Sequence, residues 1–293
     1  MLKVKAPEFV GIKGWINSKP LTLEKLKGKL ILVDFWTYTC INCMRTIPYL
    51  KQWHQKYSKK GLVIIGIHSP EFSFEKDPQN VKKAVKKMGI KYPVALDSSM
   101  ETWRAFDNSS WPAKFLIRDG YIIYVHFGEG NYEITEERIQ RELGIRGKVK
   151  KEKYAGYMFD QSPETYAGFT RNPGLGSGMV CRKKKCFYVD PGKNHMPNTI
   201  YPDGRWEHER EYLELKEAPG KISYRFYARE VNMVMEPVGK SAKADIFVDN
   251  KKQGSVSIDS PAMYNVYKKK KYEEHELALV FRGKVRVYEY TFG

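Results

Sequence analysis

The strand-type run Leu30–Trp36 (LILVDFW) leads almost directly into Cys40-Ile41-Asn42-Cys43, and a helical pattern opens on the second cysteine. A seven-residue run of this kind, broken only by Asp34, belongs in a sheet covered on both faces. The junction therefore demands an α/β layering rather than an open sheet or a helical bundle. It also sets two thiols one turn apart where a helix presents unpaired N–H groups and the positive end of its dipole.

The residues that follow support that layering. Leu62–His68 (LVIIGIH) is a second buried-type strand, and 80–88 is an amphipathic helix with Val81, Ala84, Val85 and Met88 on one face. A short strand at 92–96, a short helix at 100–106, strands at 114–117 and 121–127 meeting at Asp119-Gly120, and a helix at 133–143 with Thr135 as N-cap complete the pattern. At 144–153 the chain turns basic and loses its periodicity. The expected organisation is an α/β domain over 1–148 with a central mixed sheet and helices on both faces, a basic linker at 149–154, and a second domain over 155–293. In that second part, alternation at 222–229 and 285–290 with turns at Pro202-Asp203-Gly204, Pro219-Gly220 and Asp249-Asn250 predicts an all-β sandwich or jelly roll.

Composition excludes several classes. With 42% hydrophobic and 14% aromatic residues the chain is not disordered, and no apolar run approaches the roughly 20 residues of a membrane helix. Charges within the first twenty residues leave no secretory signal. On this reading the chain is cytoplasmic, or extracytoplasmic if it is a fragment of a membrane-fused protein. The 51 Lys and Arg against 34 Asp and Glu give +17, but the excess is spread over both halves without a nucleic-acid motif. It reads as a solvated lysine-rich surface, with no nucleic-acid partner.

The chemistry is expected at the CxxC. A thiolate at a helix N-terminus is favoured, with a pKa drawn from about 8.5 to near 7 or below, so Cys40 is the expected nucleophile and Cys43 the resolving thiol. Half of a zinc site is the alternative, along with a purely structural disulfide. Zinc needs a second ligand pair, and none is evident: Cys181 and Cys186 are wrongly spaced, and no His pair fits. Neither a metal nor a dissociable cofactor is expected.

The run from Asp34 through Trp36, Cys40 and Cys43 to Pro48 resembles the thioredoxin active-site segment. That resemblance implies that Asp34 lies buried beneath the pair and shuttles the proton of the resolving step, against the plainer reading of a strand-end Asp. Burial would push its pKa toward a general base's range. It also implies that Pro112, after Trp111, is a cis-proline facing the CxxC, where a substrate chain can pair; an ordinary trans turn proline is the alternative. The extra helix and strand between 62 and 96 are similar to those of the TlpA-like branch. Residues 34–50, 66–72 (GIHSPEF), 111–116, 126–130 (HFGEG), 162–166 (SPETY) and 290–293 (YTFG) resemble the C-terminal region of DipZ-type proteins. In that family a thioredoxin-like domain precedes a β-sandwich resembling carbohydrate-binding modules, behind a CcdA-like membrane domain that this sequence does not contain.

The function expected is disulfide exchange with protein substrates, reset by an upstream reductant or oxidant such as a CcdA-like membrane protein or a thioredoxin system. Trp36 and Trp111 are candidates for an apolar substrate lip, and His68 and Glu71, closing the second strand, for groups tuning Cys40 or touching substrate. Thr37 and Cys40 also fit a T-x-x-C, which keeps a thiol peroxidase as an alternative. Cys181 and Cys186 bracket four basic residues; a structural bridge, free thiols and a second redox centre all remain open, and in a cytoplasmic protein a bridge would suggest a thermophile or a redox role. Asn194, Tyr201, Trp206 and Tyr212 are candidates for a glycan site, which would make the β-domain a binding module.

Overall fold

A computed structural model of the chain describes residues 4–149, 161–182 and 185–293, which divide into two compact units near residue 155. The linker expected at 149–154 lies, apart from residue 149, outside the described residues.

The first unit contains β1 (Val4–Lys5), β2 (Trp15–Ile16), β3 (Leu30–Trp36), α1 (Ile41–Tyr57), β4 (Leu62–His68), α2 (Pro78–Lys87), β5 (Val94–Leu96), α3 (Glu101–Ala105), β6 (Ala113–Arg118), β7 (Tyr121–Phe127) and α4 (Tyr132–Glu142). The sheet order is β1-β7-β6-β3-β4-β5-β2. β3 is parallel to β4 and antiparallel to β6, so the sheet is mixed. All seven residues of β3 are buried. Ile31, Val33 and Phe35 join Ala113, Phe115, Trp103 and Phe106 in one apolar cluster, while the alternate residues, Asp34 among them, point to the opposite face. Full burial of each such aliphatic or Phe side chain is worth about 1.5–3 kcal/mol, enough for this strand to carry one carboxyl in its middle.

Asp119 and Gly120 both have positive φ, at 50° and 80°, as a two-residue hairpin between β6 and β7 requires. β1 and β2 are pairs of residues at the sheet margins, too short to leave a sequence pattern. Thr135 does not cap α4: the N-cap is Asn131, and the Thr135 hydroxyl, one turn inside, donates to the Asn131 carbonyl at 2.9 Å. A short polar side chain inside a helix bonds back to the preceding turn, and sequence alone does not separate that from a cap.

The second unit is all-β: β8 (Thr165–Tyr166), β9 (Gly178–Arg182), β10 (Lys185–Val189), β11 (Ile200–His208), β12 (Leu213–Pro237), β13 (Ala242–Val248), β14 (Lys251–Ile258), β15 (Ala262–Arg282) and β16 (Val285–Phe292). The path β14-β13-β15-β12-β11-β10-β9 is antiparallel throughout. β16 pairs with both ends of β12, Val287 facing Leu213 at one end and Met235 at the other. The long strand thus folds the sheet back on itself around a single apolar core, consistent with a β-sandwich, and removes two exposed edges. Irregularities in β12 near Ala228 and Val231 provide the bend.

Candidate functional site

The end of β3 and the start of α1 bring the cysteines together. Cys40 is the N-cap of α1, with extended backbone angles, and the Cys43 amide donates to its Sγ at 3.2 Å. One of the helix's orphan donors is thereby aimed at the sulfur. Both thiols are free. Cys40 is 8% exposed and Cys43 1%, so only the first offers any surface. Burial, and after it the neighbouring Cys40, pushes the Cys43 thiol well above its ordinary value, and Asp34 adds to the effect.

The Trp111–Pro112 peptide is cis, and the Trp111 carbonyl oxygen lies 3.9 Å from Cys40 Sγ. The Gly128 amide donates to the Pro112 carbonyl at 2.7 Å, and the half-buried Trp111 ring donates through Nε1 to the Ser69 carbonyl at 2.9 Å. The turn beside Cys40 is thus tied to the ends of β7 and β4.

Asp34 sits in β3 opposite Gly66 of β4 and Lys114 of β6. It is fully buried, and its Oδ1 has no hydrogen-bond partner among the described residues. Desolvation raises its pKa to about 7, against the opposing pull of the buried Lys114 ammonium. Lys114 in turn donates to the Gly128 carbonyl at 3.2 Å. The arrangement sets a slightly exposed cysteine and a fully buried one beside a buried carboxyl whose charge raises the pKa of the second thiol.

Glu75, in the single-turn helix Ser73–Lys76, is another buried carboxyl of this unit. It accepts from the Thr39 amide (3.3 Å) and hydroxyl (2.6 Å) on the loop that carries Cys40. It also accepts from the Glu71 and Phe72 amides at 2.7 and 3.1 Å. Burial raises its pKa to about 7, opposed by the Thr37 and Thr39 hydroxyls.

Among the described residues no three or more His, Cys, Asp and Glu side chains are grouped to hold a metal ion, and no helix is long and apolar enough to cross a membrane. A cleft of about 600 Å³ lined by Lys5, Leu23, Leu26, Ile31 and Ile117 opens at the other end of β3 and includes none of the residues above.

Residues 3–143 match the family model Redoxin, and residues 162–293 match the model described as Thioredoxin like C-terminal domain. The thiol-disulfide oxidoreductase ResA of Bacillus thuringiensis is 32% identical over 138 residues, covering 47% of this chain and 76% of ResA. The chain belongs to the thioredoxin-like thiol-disulfide oxidoreductase family. Protein DipZ of Mycobacterium tuberculosis is 31% identical over 300 residues, which is 98% of this chain and 43% of DipZ. The chain thus spans less than half the length of that relative. A solved thiol:disulfide interchange protein from Chlorobium tepidum is 28% identical, with a TM-score of 0.43, covering 49% of this chain and 99% of that one.

Trp36, expected at a substrate lip, and His68, expected to tune Cys40 or touch substrate, both lie in the interior. Trp36 is fully buried: its ring lies against Gly66, where an added Cβ would come within 2.9 Å of Nε1. His68 is buried beside it, edge-on to Trp36 and stacked on Tyr38. Burial lowers its pKa to about 3, so it stays neutral near pH 7 and neither titrates there nor meets substrate. Glu71 is half-buried and serves Glu75 through its backbone amide. Trp111 alone of the four retains surface beside Cys40.

The sequence reading missed Glu75 and Lys114. Glu75 occupies the third position of a capping box whose cap is Phe72, so the Ser or Thr that normally announces the motif is missing. Lys114 announced itself only as the buried one of two cations in the strand AKFLIR. In the second unit Trp206 and Tyr201 are buried, with Trp206 Nε1 donating to the Asp203 carbonyl and Tyr201 stacked on His195. Tyr212 packs on Tyr288 beneath the Arg286 guanidinium. These rings are sandwich packing rather than an open platform for a sugar.

Proposed function

We propose that this protein exchanges disulfides in protein substrates through the Cys40/Cys43 pair. A Cys40 thiolate, facing the Cys43 amide, attacks one sulfur of a substrate disulfide and expels the other as a thiolate. The extended substrate chain lies against Trp111 and Pro112. Asp34 takes the Cys43 proton, and Cys43 attacks Cys40 Sγ, releasing the second substrate thiolate and leaving a Cys40–Cys43 bridge. Two electrons and two protons pass to the substrate. An external dithiol donor, of the CcdA-like membrane type or a thioredoxin system, returns the bridge to the dithiol; run in reverse, the same steps oxidise a substrate.

The observation that carries this reading is the asymmetry of the pair: Cys40 keeps 8% exposure on a helix N-cap, while Cys43 is 1% exposed and its thiol is held up by burial and by the charge of Asp34, itself a buried carboxyl with a pKa near 7. Insulin-disulfide reduction tests it. Cys40→Ser is expected to abolish turnover and Cys43→Ser to accumulate mixed disulfides, whereas undiminished turnover in both variants would reject the mechanism.

A further inference from the structure

We propose that Tyr92 and His54 join Asp34 to solvent through buried water, giving the proton taken from Cys43 an exit; the inference rests on the exchange reading above. Asp34 is 1% exposed, so a proton collected there cannot pass straight to bulk water, and each new cycle needs the carboxylate restored. Four polar atoms on the α1 side of the sheet mark the route. Asp34 Oδ1, Trp36 Nε1, Tyr92 OH and His54 Nδ1 are all buried, and none has a hydrogen-bond partner among the described residues.

The backbone brings these atoms to one place. Asp34 and Trp36 share a face of β3, and Asp34 lies opposite Gly66 of β4. A Cβ added at Gly66 would meet Trp36 Nε1 at 2.9 Å and Tyr92 Cε2 at 3.2 Å, so the indole N–H and the phenol ring converge over the residue beside Asp34. Cε2 is bonded to the carbon that carries the hydroxyl. Burial first, and then the charges of Asp34 and Cys43, push the Tyr92 pKa well above its ordinary value; the phenol stays protonated and lies within electrostatic reach of both groups. His54 stands edge-on to the Tyr92 ring, centroids 6.0 Å apart, and is only half-buried. Burial lowers its pKa, so the ring is neutral near pH 7 and able to take a proton. At 1.5 Å per residue it lies about 16 Å along α1 from Cys43, which sets the exit apart from the sulfurs.

Buried polar atoms are almost always bonded, and where protein supplies no partner an internal water does, taking about three partners itself. A donor-only indole, an acceptor carboxylate, and a hydroxyl and an imidazole that can do both supply what such a water needs. Protonated Asp34 gives its proton to the water, the Tyr92 oxygen takes one as the hydroxyl releases its own toward His54 Nδ1, and the imidazole gives up its Nε2 proton to solvent. One O–H bond breaks at Asp34, one proton reaches bulk water, and nothing is oxidised or reduced. A water, unlike a backbone amide, hands a proton on, so the oxygen it occupies stays open to the Cys43 proton. Neither Tyr92 nor His54 touches the reacting sulfurs; both act through Asp34.

The test uses the full chain and follows resolution of a Cys40 mixed disulfide, formed with a chromogenic disulfide, in single turnovers at about pH 6 and about pH 8.5, on either side of the Asp34 pKa of about 7. The titratable groups coupled to Asp34 are Lys114, Cys43 and Tyr92, and the last two are held far above that window. Near pH 6 most molecules must discharge Asp34 first, so Tyr92→Phe and His54→Leu are expected to slow resolution roughly tenfold or more. Near pH 8.5 the carboxylate is ready and the gap should close, whereas lost packing would slow both alike. The second readout is a long-lived water with NMR cross-peaks to the Tyr92 ring protons, expected to vanish in Tyr92→Phe. Unchanged rates near pH 6, equal slowing at both pH values, or no water signal at Tyr92 would overturn the proposal. Native resolution with indifferent variants sinks this inference alone. A native protein that resolves no mixed disulfide sinks the exchange reading, and the water signal then decides whether the buried connection exists.

Discussion

Asp34 and Glu75 are both buried carboxyls in one domain, each with a pKa near 7, yet their surroundings differ in kind. Glu75 accepts from three backbone amides on two separate loops, those of Thr39, Glu71 and Phe72, and from threonine hydroxyls besides. Asp34 keeps one oxygen with no partner among the described residues. A carboxylate whose lone pairs are filled holds chain segments in place, and one with an idle oxygen in reach of a thiol is available to take a proton. A perturbed pKa on its own does not separate those roles; the donors around the group do.

The largest effect that can break this comparison is on stability. Glu75→Ala leaves the Thr39, Glu71 and Phe72 amides unpaired in the interior, and at about 1–3 kcal/mol each the loss in urea unfolding should be at least about 3 kcal/mol. Asp34→Asn orphans no donor and should leave the unfolding midpoint at pH 7 unchanged or higher. A comparable loss in both variants would erase the distinction.

The rates should divide the other way. Asp34→Asn is expected to slow resolution of the mixed disulfide by about a hundredfold at pH 7, the lower end of what a general base supplies, while the first attack by Cys40 keeps its rate. Single-turnover quenching with a chromogenic disulfide separates the two steps. Glu75→Gln should leave the pH midpoint of resolution where it is in the native protein.

A smaller effect is expected in the pH dependence of stability. Both carboxyls titrate near 7 when folded, against ordinary values of 3.8 and 4.5. Their contribution is therefore complete below about pH 4 and is lost as pH rises through 7. His68 acts in the opposite sense: with a folded pKa of about 3 against 6.5, it destabilises the fold below 6.5 and is neutral in effect above it. Two protons outweigh one, so this trio favours the fold most near pH 4 and progressively less toward neutrality. Asp34→Asn should flatten that decline by one proton in a urea series from pH 4.5 to 8, and an unchanged slope would mean that Asp34 is already ionised in the fold.

The smallest effect tunes the comparison. Lys114→Met removes the cation that holds Asp34 down, so the pH midpoint of the resolving step should move upward. Movement downward would show that Lys114 does not act on Asp34 through its charge.

Much of the site was readable from residues 34–43, because strand, carboxyl and thiol pair lie within one short stretch and each follows a local rule: an apolar period, a helix start, a fixed spacing. The β6–β7 hairpin was equally local, since the Asp119-Gly120 turn needs no distant partner. The fates of Trp36 and His68 were not readable, because an aromatic ring at a strand end lines a cleft or fills the core depending on what faces it, and here Gly66 made room for the ring.

What the sequence alone determined about this protein is thus the placement of a cysteine pair at a strand-to-helix junction and the two-part architecture, both encoded by neighbours in the chain. Tertiary structure decided which buried carboxyl is filled with donors and which keeps an oxygen without a partner among the described residues, and which of Cys40 and Cys43 keeps a little exposure. Those outcomes depend on desolvation and on donors brought together from residues far apart in sequence, and neither is a property of any single segment.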